Sequence, residues 1–428
     1  KDLGDDKGGR ILLYNGDKSH VNECINYLQS KPVLVTDIPV LNSAKKEKWV
    51  EFEESLEAKK ADNLFREIPQ MQSAQSAHVK YNSQDMLMLA SNDYLDLAND
   101  KSVKSYAISM TRKFGTGSGG SRLTTGSTPL HSKLESMLSV WKGTEAALLF
   151  NTGYMANVGT ISAIASKEWV IFSDEKNHAS IIDGCRLGRA KTVVYKHNDM
   201  DDLEAKVKLY AGRKGLIVSD GVFSMDGDIV NLPRLLDISE RYGMYSMIDE
   251  AHASGVIGEN GGGVCEHFGL KQKPDIIIGT CSKAFGSEGG YVCGKKVLID
   301  FLINNARSFI FSTALSVGVV AASIKALHII QTKPKIVSKL QNNVRFFCKS
   351  LQTHGVNATS ETAIIPIVIG DEKKALKYAE KLKKEGFYIS AIRYPTVAKG
   401  EAMLRVVLMS SHKKSELKAA AKAIARYI

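Results

Sequence analysis

Short apolar runs, separated by stretches whose apolar side chains recur at helical spacing, fill the middle of the chain. Runs at residues 169–172, 192–195, 216–219, 245–248 and 276–278 are rich in Val, Ile and aromatic side chains and read as buried strands. Helical patterns lie between them. Residues 100–330 are therefore expected to form a large α/β domain around a doubly wound, mostly parallel sheet. In such a sheet the ligand lies beyond the carboxyl ends of the strands.

The flanks follow other patterns. Residues 331–428 show a long helical segment, then strands near 364–369 and 404–408 with helices between and after, which predicts a smaller α+β domain. Residues 47–67 predict a charged amphipathic helix. It opens an arm, 47–99, that runs on through an extended segment at 86–89 and the run Ser91-Asn92-Asp93-Tyr94-Leu95. Residues 1–46 hold the strand-like Ile11-Leu12-Leu13-Tyr14 and Val33-Leu34-Val35 around a helical stretch, joined on by a polar linker at Lys45-Lys46-Glu47-Lys48.

Composition narrows the classes. With 428 residues, 44% hydrophobic and 24% charged, the chain is globular and long enough for one large and one small domain. Its net charge of +11 would concentrate any polyanion. The lysines are spread along helix-like stretches at 371–385 and 411–422, as solvated faces are, so no nucleic-acid partner is expected. Cys24, Cys185, Cys265, Cys281, Cys293 and Cys348 form no CxxC pair and no Cys/His cluster, which predicts free thiols, no metal centre and a reducing cytoplasm. No apolar run approaches the roughly 20 residues that a bilayer requires, so no membrane partner is expected.

The chemistry sits where the strands end. Asp220-Gly221-Val222-Phe223-Ser224 follows one strand, Asp249-Glu250-Ala251-His252 the next, and Thr280-Cys281-Ser282-Lys283 a third. An Asp, a His and a Lys facing one crevice suit pyridoxal 5'-phosphate. The lysine amine condenses with the cofactor aldehyde, and an ionised carboxylate keeps the pyridine nitrogen protonated so that the ring accepts a carbanion's electrons. Lys283 and Asp249 fit those roles, and His252 and Ser224 fit the neighbourhood of the phenolic oxygen. Singly, such residues are commonly a solvated lysine or a helix cap; it is their joint order that points to a site.

Two other readings fail. Asp249-Glu250-Ala251-His252 spells a helicase-type acidic box, but the chain has no phosphate loop ending in Gly-Lys-Ser/Thr. The run Gly115-Thr116-Gly117-Ser118-Gly119-Gly120 follows a helical segment rather than a strand, so it is expected to be a tight loop of closely approaching backbone, not a dinucleotide fingerprint. At Asn151-Thr152-Gly153-Tyr154 a helix N-terminus is expected after the run 147–150, with backbone amides turned toward a phosphate. His178 is the candidate to lie against the cofactor ring.

Taken together, these segments resemble the α-oxoamine synthases, pyridoxal-phosphate enzymes of the fold type I (aminotransferase-like) class that join an amino acid to an acyl-CoA with loss of carbon dioxide. The resemblance runs from about residue 47 to the end. It is carried by residues 115–126, Asn177-His178-Ala179-Ser180-Ile181-Ile182-Asp183-Gly184, residues 220–228, Asp249 to His252, and Phe311-Ser312-Thr313-Ala314-Leu315. Within the family these segments are most like the branch serving biotin synthesis, which condenses L-alanine with pimeloyl-CoA to 8-amino-7-oxononanoate.

The resemblance implies that Lys283 holds the cofactor and, once freed, removes the substrate Cα proton. It implies Asp249 at the pyridine nitrogen, His178 stacked on the ring, and His252 and Ser224 by the phenolic oxygen. Gly153, Tyr154 and Thr280 would bind the phosphate, Ser312 and Thr313 would reach a neighbouring subunit's cofactor in a homodimer with shared active sites, and Asn92 and Arg393 would meet substrate, Arg393 as a carboxylate clamp. Lys59, Lys60 and Arg66 are candidates to attract CoA phosphates.

Two departures qualify the match. Arg393-Tyr394-Pro395-Thr396-Val397-Ala398 replaces the Arg-Pro-Pro-Thr-Val-Pro of the biotin branch, and its Tyr-Pro is nearer to the glycine-using members that make 5-aminolevulinate or 2-amino-3-ketobutyrate. Residues 1–46 precede the family's usual start, as the tail of a fused upstream domain would, for example a pimeloyl-CoA ligase.

Overall fold

A computed structural model describes residues 41–428, so the strand-like segments expected at 11–14 and 33–35, and Cys24, lie outside the described residues. The chain divides into two compact units, Lys1–Glu67 and Ile68–Ile428. In the first, a helix covers Leu41–Ala61. It begins earlier than expected, because the Lys/Glu-rich segment read as a linker consists of strong helix formers. It also stops earlier: Asn63 turns to a positive φ of 57°, and the amides of Leu64 and Phe65 fold back onto the Lys59 carbonyl.

The second unit opens with a hairpin of β1 (His78–Tyr81) and β2 (Gln84–Met88). Its two-residue turn, Asn82-Ser83, has positive φ at both positions, the geometry that matches the twist of paired strands. Further along come β3 (Ala146–Phe150), β4 (Val170–Asp174), β5 (Lys191–Tyr195), β6 (Gly215–Asp220), β7 (Tyr245–Asp249), β8 (Ile276–Thr280) and β9 (Gly290–Gly294). They form one sheet in the order β3-β9-β8-β7-β6-β4-β5, in which β9 alone runs antiparallel to its neighbours. The expected mostly parallel sheet is borne out. Every residue of β4, β6 and β8 is buried, as strands covered by helices on both faces must be, whereas edge strand β5 leaves Lys191, Thr192 and Val194 exposed. Strand β9, Gly-Tyr-Val-Cys-Gly, carries too short a pattern to be read from sequence.

Beyond helices Val317–Thr332 and Lys335–Thr353 lie β10 (Ile364–Gly370), β11 (Phe387–Tyr388), β12 (Ser390–Ile392) and β13 (Ala402–Val407). Strands β10, β13 and β12 form a small antiparallel sheet with helices Glu372–Lys384 and Lys414–Ala425, while β11 pairs in parallel with β2. The arm thus shares a sheet with the C-terminal part. Cys185, Cys265, Cys281, Cys293 and Cys348 are free and buried. Among the described residues no helix is long and apolar enough to cross a membrane.

Candidate active site

The carboxyl ends of β4, β6, β7 and β8 bring Asp174, Asp220, Asp249 and Thr280 to one edge of the sheet. Buried Asp249 is held at both oxygens: Asn157 Nδ2 donates to Oδ2 (2.6 Å) and the Ala251 amide to Oδ1 (2.8 Å). Asn157 lies one turn into helix Gly153–Ile164 and also donates to Ser180 Oγ (2.9 Å). Asp220 neighbours Asp249 in the sheet register and accepts the His178 amide (2.7 Å). Burial, and then the Asp249 charge, hold Asp220 well above the ordinary carboxylate range.

Lys283 follows β8 by three residues. Burial pulls its amine below the usual lysine value, against the opposing pull of Asp249 and Asp220. His178 caps helix Ala179–Leu187 by accepting the Ser180 amide at Nδ1 (3.2 Å), which fixes that nitrogen as an acceptor. Its pKa is lowered, first by burial. His252 is buried and shares a 2.5 Å hydrogen bond between Nδ1 and the Tyr94 hydroxyl. Burial, then the positive charges of Lys283 and Arg405, push His252 well below the ordinary histidine range, so it is neutral.

Tyr94, whose phenol burial pushes up to about 12, leads on to Asn92 Oδ1 (3.2 Å). Asn92 Oδ1 also receives two long contacts from Arg405, at 3.3 and 3.4 Å from its Nη atoms, and Arg405 Nε donates to the Ser224 carbonyl (2.6 Å). A polar chain thus links Ser224 to His252 through Arg405, Asn92 and Tyr94.

Helix Gly153–Ile164 is capped by Thr152, whose Oγ1 accepts the Met155 amide (3.1 Å) and leaves the Gly153 and Tyr154 amides without partners among the described residues. Backbone is close here: a Cβ on Gly290 would lie 2.3 Å from the Thr152 carbonyl oxygen. Thr280 Oγ1 donates to the Gly289 carbonyl (2.8 Å) and accepts the Ser282 amide (3.1 Å). The half-exposed Tyr154 turns its hydroxyl to Asp183. A lysine amine, a fixed carboxylate, neutral imidazoles and a helix N-terminus with open amides fit pyridoxal phosphate.

Ser312 and Thr313 follow Phe311, which is 71% exposed, and Asn151 Nδ2 donates to the Thr313 carbonyl (2.6 Å). That segment runs along the glycine loop through Ser121 paired with Thr313 and the Ala314 amide on the Gly120 carbonyl (2.9 Å). The loop is tight at its end, where a Cβ on Gly126 would lie 2.2 Å from the Gly120 oxygen, and open at Gly115, Gly117 and Gly119. Arg393 is half-buried just after β12, and Arg66 is exposed in the first unit.

With the fold and pocket in view, the class I and II aminotransferase family matches residues 84–424. The chain belongs to that family. As an aminotransferase-family enzyme it is 45% identical to an 8-amino-7-oxononanoate synthase of Lysinibacillus sphaericus, over 84% of this chain and 93% of the relative. Among solved structures, a Sphingomonas wittichii serine palmitoyltransferase superposes with a TM-score of 0.84 at 29% identity, covering 92% of this chain and 98% of the other. An 8-amino-7-oxononanoate synthase of Francisella tularensis superposes with a TM-score of 0.69, also at 29% identity, over 80% of this chain and 97% of the other. The expected resemblance to the α-oxoamine synthases is borne out.

Sequence reasoning assigned no role to Asn157, Asp220, Tyr94 or Arg405. Arg405 had a readable signal, because an arginine inside the apolar run Met403-Leu404-Arg405-Val406-Val407 is buried only when something pairs with it.

Beside the pocket, His197 bridges Asp174 Oδ1 (3.0 Å, Nδ1) and Asp228 Oδ2 (3.0 Å, Nε2). Asp226 and Asp228 stand at metal-ligating distance from this ring, but Lys176 engages Asp226 (2.8 Å) and protonated His197 engages Asp228, so cations of the chain itself neutralise the pair. Burial opposes charge on His197, yet the two carboxylate hydrogen bonds outweigh it and push its pKa up to about 9. A folded-state value raised above the unfolded one stabilises fully below about pH 6.5, and that contribution is lost as pH rises through about 9. Raising the pH from 6 to 10 should therefore lower the Tm of the wild type more than that of His197→Gln. Equal falls in the two melting curves would remove this role.

Proposed function

We propose that the protein is a pyridoxal-phosphate-dependent acyltransferase that condenses L-alanine with pimeloyl-CoA, giving 8-amino-7-oxononanoate, CoA and carbon dioxide for biotin synthesis. What carries the reading is the 45% identity with an 8-amino-7-oxononanoate synthase across 93% of that protein. The structural likeness to serine palmitoyltransferase is a likeness at 29% identity and weighs less on substrate.

When bound, the cofactor supplies an electron-accepting ring conjugated to the amino acid nitrogen. The chain's own residues do the rest. Lys283 would hold the cofactor and, once freed, act as the base for the Cα proton; burial lowers its pKa and leaves more amine in the basic form near neutral pH. Asp249, fixed by Asn157 and the Ala251 amide, presents its charge to the pyridine nitrogen. His178 would cover one ring face, and His252 and Ser224 would stand by the phenolic oxygen. The amides of Gly153 and Tyr154, with Thr280, would receive the phosphate.

Arg405 rather than Arg393 is assigned the substrate carboxylate, since its charge acts on Lys283, His252 and Tyr94, and its long contacts to Asn92 leave donors for a paired hydrogen bond. After the thioester carbonyl accepts the Cα electrons and CoA leaves, the carboxyl group of the resulting β-keto acid departs as carbon dioxide. The exposed segment of Ser312 and Thr313 suits a homodimer with shared sites, and a cytoplasmic setting suits the free thiols.

Release of CoA, followed with a panel of acyl-CoAs and amino acids, tests the substrates. Pimeloyl-CoA with L-alanine should exceed glycine with acetyl-CoA or succinyl-CoA, and serine with palmitoyl-CoA, by about tenfold or more in kcat/KM. A higher value for a glycine pair would move the protein to the glycine-using branch.

A further inference from the structure

We propose that Lys142 and Glu250 are a positioning pair that sets the cofactor-facing groups Asp249 and His252 by clasping the loop of residues 250–263. The inference rests on the cofactor reading above for what those groups face. Lys142 ends helix Pro129–Lys142, and Glu250 follows Asp249 directly. Both side chains are only 2% exposed, out of reach of substrate.

All three ammonium protons of Lys142 are used: toward Glu250 Oε2, toward Ser254 Oγ (2.7 Å) and toward the Gly262 carbonyl (2.9 Å). Glu250 Oε1 accepts the Val264 amide (2.9 Å) from the far end of the loop, and Ser254 Oγ also meets the Tyr291 hydroxyl (3.0 Å) from β9. Gly263, at a φ of 99°, closes against the carboxylate so tightly that a Cβ would lie 2.2 Å from Oε2. One ammonium and one carboxylate therefore join both ends of the loop to a helix.

The Ala251 amide that fixes Asp249, and the His252 ring, sit on the first turn of that loop. A side chain held within about half an ångström needs a supporting layer whose own geometry is locked, and no other ion pair anchors this turn among the described residues. A merely structural pair would alter melting and leave the pocket of the folded protein unchanged.

The double variant Lys142→Met/Glu250→Gln separates the two roles, because it leaves no unpaired buried charge and keeps an acceptor for Val264. In the apoprotein, amide exchange over residues 251–264 should quicken about tenfold or more while helix Val317–Thr332 exchanges as in the wild type. Half-saturation with pyridoxal phosphate, read from the visible band, should need about ten times more cofactor. Ser254→Ala, a milder change, should quicken the same amides about threefold. Wild-type exchange and half-saturation in the folded double variant overturn the proposal; if that variant does not fold, unchanged exchange in Ser254→Ala does so. A wild-type protein that gains no visible band refutes the cofactor reading instead, and the apoprotein exchange still decides the clasp.

Discussion

Replacing Lys283 by alanine should lower CoA release by roughly three orders of magnitude or more and abolish the covalent visible band. The size of the effect follows from the pocket. Buried His252 is committed to Tyr94, and burial with nearby positive charge keeps it neutral. His178 is turned by its cap onto Ser180. Neither can both hold the cofactor aldehyde and move the Cα proton. The fold should be unharmed, because Lys283 donates no hydrogen bond to a structural partner among the described residues, so an unchanged melting curve accompanies the lost turnover. A variant retaining even a few per cent of wild-type kcat would reject Lys283 as the attachment point.

Asp249→Asn should cost about 100-fold in kcat, about 2.7 kcal/mol of transition-state stabilisation, with KM for the acyl-CoA little changed. A neutral amide cannot keep the pyridine nitrogen protonated, and the Asn157 amide that now donates to Oδ2 would meet a group with donors of its own. The loss should stop short of that in the lysine variant because of Asp220. Burial and the charge of Asp249 hold its pKa up, so removing that charge lets Asp220, the register neighbour of Asp249, ionise more readily. Asp249→Asn/Asp220→Asn should accordingly lose more than the product of the single losses. Additive losses would show that Asp220 takes over nothing.

How much was legible depended on what kind of signal each residue emits. Strands β4, β6 and β8 showed because a fully buried parallel strand is a nearly continuous apolar run, and the polar residues that end or follow β7 and β8 marked Asp249 and Lys283 by position alone. Strand β9 did not show, since two of its five residues are glycines and its antiparallel course needs no pattern of its own. The helix start at Leu41 was obscured by lysines that serve linkers and solvated helices equally well. Asn157 and Tyr94 emit no sequence signal as isolated polar residues; their roles arise from partners 92 and 158 positions away, and only the fold brings those together. Lys142 and Glu250 are separated by 108 positions, and only the fold brings them together.

The arm has a consequence for the order in which the molecule is built. Strand β2 pairs with β11, the Val407 amide bonds the Leu89 carbonyl, the Ser410 amide bonds the Tyr94 carbonyl, and Asn92 meets Arg405 across 313 positions. During synthesis from the amino end, Asn92 and Tyr94 emerge early and wait for partners among the last chain segments to leave the ribosome. The sheet that carries Lys283 and Asp249 can close well before then, so a nascent chain holds those groups before Arg405 and the strands that pair with the arm have emerged. Contacts of such long sequence separation form late and slowly, which makes completion of the pocket, rather than of the sheet, the last event in maturation.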